Sequence, residues 1–273
     1  MCKFELYIVM ATNNILVPIS FSEQSIIALE QSYNLAKYTD STITLLYVGS
    51  DKDAKSKLDG LATDVSKKSD NKVNTIVVKG NVYKEIIKVA EKIDAVFIVM
   101  GFSSSPKIRN IGSNAFRVLR QAPCPVITIK GNQHRSGCKN IVLPLDLTKE
   151  TREKVKKAIE MAQFFGSTIR VVSVRKPSQI KQENKLIAYS HQVKNFIKEK
   201  KIPCTIKTLV GNDIVDLILS YAHEEQADLI MIMTQNELNF KELFVGTIAQ
   251  KIVNLSDIPV LSIRPMTRGY RAI

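Results

Sequence analysis

The sequence predicts an α/β protein built from two tandem parallel-sheet units. Three observations predict it. Short apolar runs alternate with stretches of helical periodicity through almost the whole chain. The apolar runs are nearly continuous rather than alternating, as strands buried on both faces of a parallel sheet require. The whole pattern then occurs a second time, displaced by about 130 residues, a period far too long for a solenoid.

The first copy opens with Asn14-Ile15-Leu16-Val17-Pro18-Ile19, a strand that ends at Ser20-Phe21-Ser22. Ser22 is placed to cap a helix whose stripe is Ile26, Leu29, Tyr33 and Ala36. TITLLYV, residues 42–48, is the second strand. Residues 51–70 are mostly polar and read as a weak helix or a loop. KVNTIVVK, residues 72–79, is the third strand, and Gly80-Asn81 turns into a helix carrying Val82, Ile86, Val89, Ala90 and Ile93. Asp94 precedes a fourth strand and a loop with Gly101 and three serines. Gly112-Ser113 then opens a short helix, stopped by Pro123 and Pro125 before the last strand.

The linker GNQHRSGCK, residues 131–139, suits a boundary between units at 12–131 and 139–265. It is not a P-loop, because five residues separate its glycines and Cys138 precedes Lys139. The second copy restarts at Asn140, which matches Asn14, and Thr148 takes the place of Ser22. Val155, Ile159 and Ala162 form the helical stripe, and Gly166 ends it. TIRVVSV matches TITLLYV, and residues 180–200 form a clearer helix than 51–70. Gly211-Asn212 matches Gly80-Asn81, Asp228 matches Asp94, Gly246-Thr247 matches Gly112-Ser113, and IPVLSIR matches CPVITIK.

Composition narrows the function classes. The chain of 273 residues has a net charge of +13, of which residues 1–137 carry +6 and the remainder +7. An excess spread so evenly, with no recognition motif, argues against specific nucleic-acid binding. Cys2, Cys124, Cys138 and Cys204 show no metal-ligand or disulfide spacing, which points to reduced thiols in the cytoplasm. Cys124 lies where Ile258 lies and reads as a small core residue. The N-terminus lacks the pattern of a signal peptide, Met10 offers a second start, and no apolar run reaches membrane-spanning length. His134, His191 and His223 stand apart, and no acid–base or metal cluster is visible. No metal site and no catalytic residue are expected.

ILVPISFSEQSIIALEQSYNLA, the Gly-Asn turn, the Gly-Ser helix opening and PCPVITIK together resemble a universal stress protein domain. IVLPLDLTKETREKVKKAIEMA, ADLIMIMT, VGT and IPVLSIRP resemble a second. The resemblance implies Rossmann-like sheets of strand order 3-2-1-4-5. It also implies that the last strands pair the two units as an intramolecular pseudo-dimer, with a homodimer of chains as a further partner state.

That family contains members that bind ATP and members that do not. Binders are implied to carry an Asp after the first strand and G-x2-G-x9-G-[ST] after the fourth, where glycines let the backbone approach phosphates at a helix start. In the first unit Ser20 stands for the Asp, Gly101 for the first glycine and Ser104 for the second, and Gly112-Ser113 arrive two residues early. In the second unit Asp146 is present, the first glycine falls on Thr234 or Gln235, and Gly246-Thr247 survive. Val48 and Val174, which close the second strands, would offer backbone groups to an adenine. The first unit thus has the better phosphate loop and the second the better adenosine contact. Each residue also has a local reading: Gly for a turn, Ser or Thr for a cap, Asp146 for a turn with Thr148.

The function implied is a cytoplasmic stress-response protein that binds rather than catalyses, with ATP as a weak ligand. A nucleotide-free interaction scaffold on the same fold is the alternative, and a slow ATPase or another nucleotide-using enzyme comes third.

Overall fold

The computed structural model describes residues 13–102, 113–130, 137–145, 151–234 and 247–264. The first half contains β1 (Asn13–Pro18), α1 (Glu23–Tyr38), β2 (Ser41–Val48), α2 (Ala54–Ser69), β3 (Val73–Val78), α3 (Val82–Lys92), β4 (Ala95–Gly101), α4 (Ser113–Gln121) and β5 (Val126–Ile129). The second half contains β6 (Asn140–Leu145), α5 (Thr151–Phe165), β7 (Thr168–Arg175), α6 (Glu183–Glu199), β8 (Cys204–Val210), α7 (Ile214–Glu224), β9 (Leu229–Met233), α8 (Thr247–Leu255) and β10 (Val260–Ile263). A 3-10 turn at Pro177–Gln182 leads into α6.

Within residues 51–70, Ala54–Ser69 form a full helix rather than a weak one. Ala54, Leu58, Ala62 and Val65 are its buried residues, a stripe at helical spacing narrow enough to be lost among the polar residues. The local signals behave as their chemistry dictates. Ser22 caps α1 by accepting from the Ser25 N–H, and Asn81 caps α3 through Lys84. In the second half Asp213, one residue beyond the Gly-Asn pair, caps α7. Gly166 follows α5 at φ +64°, a conformation that favours glycine.

All ten strands form one sheet, in the order β3-β2-β1-β4-β5-β10-β9-β6-β7-β8. Each half is parallel and runs 3-2-1-4-5. The halves meet where β5 and β10 pair antiparallel, Val260 opposite Thr128 and Ser262 opposite Val126. The helices cover both faces. One buried cluster lies on the side of α1, α2, α5 and α6, the other on the side of α3, α4, α7 and α8, and both run through the two halves.

The junction is built like a core. Val126, Ile129, Val260, Leu261 and Ile263 are all but inaccessible, and burying each such side chain stabilises by about 1.5–3 kcal/mol. Polar ties cross in both directions. The Thr128 hydroxyl donates to the Val260 carbonyl at 3.2 Å, and the Arg264 guanidinium donates to Ala122 at 3.0 Å. The Lys130 ammonium donates to the Asn254 carbonyl. Tyr38 and Phe165 stack edge-on at 5.0 Å. A cavity of about 50 Å3 remains between the halves, beside Gln31, Cys138 and Phe165.

Candidate functional site

In an open parallel sheet the ligand crevice lies beyond the strand C-termini where the strand order reverses. Here that is the gap between β1 and β4, and again between β6 and β9. The two gaps differ.

In the first half the gap is shut. Gly101, the last residue of β4, sits so close to α1 that an added Cβ would lie 1.9 Å from the Gln24 carbonyl oxygen. Its lack of a side chain therefore has a packing cause. Ser20 shares a 3.0 Å hydrogen bond with the Ser22 hydroxyl and serves the local cap. Phe21, at φ 61°, packs against Tyr47 with ring centroids 5.4 Å apart, filling the α1 side of the strand ends.

The sheet register corrects the match in the second half. Ile98 and Ile230 donate to the equivalent carbonyls of Pro125 and Pro259, and Phe102 and Thr234 to those of Ile129 and Ile263. Gly101 therefore corresponds to Met233, not to Thr234 or Gln235. The shift is already present before the strand, where Asp94 corresponds to Gln226. The β1–β4 ladder passes from Asn14–Ala95 to Ile15–Phe97, so Val96 bulges. The second half has Asp228 bonded to Asn140 and then Ile141 opposite Leu229, without a bulge. Counted from Met233, Gly246-Thr247 stand at the full G-x2-G-x9-G-[ST] distance, whereas the first loop is two residues short.

Met233 has the Cβ that Gly101 cannot have, and α5 packs on β9 less closely than α1 packs on β4. Into this looser gap the second half sends a cation the sequence reading missed. Lys154, on α5, is 5% exposed, and its ammonium donates to the Pro144 carbonyl. Asn140 faces β9, as its bond to Asp228 shows, so by alternation Pro144 faces β9 too. The β6–β9 pairs run only from Ile141 to Val142. The ammonium thus stands where the two strands part. At the matching place in the first half is Ala28, 0% exposed. Reading α5 against α1 residue by residue would have exposed Lys154 as a lysine on a core face.

The end of β7 is polar as well. Ser173 and Thr208 share a hydroxyl–hydroxyl hydrogen bond of 3.0 Å where the first half has Tyr47 opposite Val77. Arg175 replaces Gly49. Its side chain is 11% exposed, pairs with Glu183 at 2.9 Å, and has its Nε buried without a hydrogen-bond partner.

The backbone groups of Val48 and Val174 face past the ends of β1 and β6. Leu46 accepts from Ile19 across the β1–β2 ladder, so Val48 faces the same side, beyond the end of β1. Val174 faces β6 in the same manner, beyond the Leu145–Ser173 pair. Gly112, Asp146 and Gly246 lie outside the described residues. Ser113 and Thr247 begin α4 and α8, with their side chains outside the description. Among the described residues no His, Cys, Asp or Glu cluster is arranged for a metal ion, and no helix is long and apolar enough to cross a membrane. Cys124 and Cys138 are buried thiols, each pushed up to about 12 chiefly by desolvation.

Two parallel α/β units of order 3-2-1-4-5, joined through their last strands, define a tandem member of the Rossmann-like folds. The chain belongs to the universal stress protein family, whose sequence model matches residues 11–130 and again 137–264. Solved structures agree on the fold. A protein of unknown function from Pseudomonas aeruginosa PAO1 is 21% identical at a TM-score of 0.72, covering 93% of each chain. A universal stress protein from Archaeoglobus fulgidus DSM 4304 is 19% identical at 0.72, covering 93% of this chain and 99% of its own. No curated protein sequence matches the chain directly.

Proposed function

We propose that the chain is a cytoplasmic stress-response protein that works by binding, with a weak adenine-nucleotide site at the strand ends of its second half. The observation that carries this reading is the ammonium of Lys154, held where β6 and β9 part. An ammonium at the strand ends adds to the positive potential that draws an anionic ligand. Asp146 and the Val174 backbone would take the adenosine end. The start of α8, with Gly246 and Thr247, would face the phosphates. The first half, closed over Gly101, serves as scaffold. Cys124, Cys138 and Cys204 are free, in keeping with a reducing compartment.

Calorimetric titration with ATP tests the reading. The expected Kd is on the order of 1 mM, weakened about tenfold or more by Lys154→Ala or Asp146→Ala. Absence of heat at roughly ten times that concentration overturns the site, as does binding indifferent to Lys154→Ala. Phosphate release that requires Asp146 would overturn the purely binding role.

A further inference from the structure

The sheet has two open edges, β3 and β8, and they are not alike. β8 carries Lys207 at its centre, half-exposed and paired with Glu224 at 3.6 Å. A charge in mid-strand discourages further pairing. β3 has no charged residue between Lys72 and Lys79. Its ladder fixes which backbone groups are used. The Ile43 N–H bonds the Lys72 carbonyl and the Gly49 N–H bonds the Val78 carbonyl. Residues 72, 74, 76 and 78 therefore face β2, and the N–H and C=O groups of Val73, Thr75 and Val77 point away from the sheet.

A groove of about 540 Å3 runs beside these groups, between α2 and β3, lined by Asp59, Thr63, Ser66, Lys67, Val73 and Thr75. A strand added to β3 would send alternate side chains toward it. The carboxylate of Asp59 is already engaged, by Lys55 at 2.6 Å and by the Thr75 hydroxyl at 2.6 Å. Lys67 in the groove and Lys72 and Lys79 at its ends are exposed and make no ion pair among the described residues. Residues 67–79 hold four lysines against Asp70, a net +3. A second copy of the chain is a poor occupant. It would bring its own net +3 to the same edge, and two segments of like charge repel.

We infer that β3 is an augmentation edge, which takes an extended segment of a partner protein that is β-branched at its centre and acidic at its ends. Main-chain bonds to Val73, Thr75 and Val77 supply the affinity, and the three lysines choose the partner. The inference does not depend on the nucleotide site.

The probe is a fluorescein-labelled peptide of sequence EEVTVTVEE, titrated into the full chain, with KKVTVTVKK as control. Saturable binding of the acidic peptide alone is expected, with new hydrogen-exchange protection at Val73, Thr75 and Val77. Val77→Pro removes an outward N–H without touching the β2 ladder, and binding should fall about tenfold or more. Lys72→Glu with Lys79→Glu leaves the strand intact and should give a similar loss, with preference moving to the basic peptide. Equal binding of both peptides, protection elsewhere, or indifference to the lysine exchange overturns the inference. A peptide-free dimer abolished by Val77→Pro would overturn it in favour of self-pairing.

Discussion

The two halves share a sheet, a topology and a junction, yet at the strand ends they have become chemically opposite. The first half packs Phe21 on Tyr47, seals Gly101 against Gln24, and has Ala28 on the core face of α1. The second half has Ser173 bonded to Thr208, Met233 in place of Gly101, and Lys154 in place of Ala28. The difference shows where a duplicated fold is free to change. Strand centres and the β5–β10 seam are buried on both faces, so apolar bulk there is fixed by packing. Strand ends meet water or a ligand, and one copy can close while its twin gains charge.

The sharpest way to break this comparison is to exchange the residues at its centre. Ala28→Lys puts an ammonium into a fully buried site on the closed half. It should cost about 3–5 kcal/mol, the penalty of a buried charge without a built partner set. Lys154→Ala restores the first-half residue. It loses the bond to Pro144 but puts back a residue the fold accepts at this place, so its expected cost is smaller, about 1–2 kcal/mol. Urea unfolding of the two variants decides. Equal costs would mean that the halves offer a cation the same space.

The next contrast lies at the paired position on β4 and β9. Gly101→Ala drives a Cβ to within 1.9 Å of the Gln24 carbonyl, and backbone cannot yield as a side chain can. Separation of α1 from β4 should cost about 2–4 kcal/mol. Met233→Ala, at the equivalent half-buried place, should cost about 1 kcal/mol. A Gly101→Ala protein as stable as the parent would show that the first crevice is not closed by this contact.

Most of the fold was legible because the strands and the Gly-Asn, Gly-Ser and Pro-Val signals recur in order. The register of β9 was not. Asp94 to Asp228 and Gly112 to Gly246 carry the same displacement, so the matches on either side concealed a strand shifted by two residues. Asp94 corresponds to Gln226, two residues before Asp228, and the loop after the strand is longer by two in the second half, so the two differences offset each other. Such a compensation is invisible until hydrogen bonds fix which residues lie side by side. Helix α2 was underrated because a narrow stripe of Leu58, Ala62 and Val65 is diluted by lysines and serines. Lys154 is not legible because helical periodicity is carried by apolar residues, and a long side chain with a buried ammonium leaves no apolar mark.

The smallest expected effect concerns what the halves still share. Cys124 lies in one half and Cys138 in the other, both more than nine-tenths buried, and burial pushes each thiol up to about 12 from 9.0. The native state therefore holds these protons where the unfolded chain releases them. Stability is unaffected below the unfolded pKa near 9 and is lost as pH rises from there toward 12. At pH 10 each thiol should cost about 1 kcal/mol. Cys124→Ala and Cys138→Ala, compared by urea unfolding at pH 7 and pH 10, should each remove one such increment, and the two increments should be equal. An alkaline loss carried by only one of the two would show that divergence has spread from the strand ends into the core beneath them.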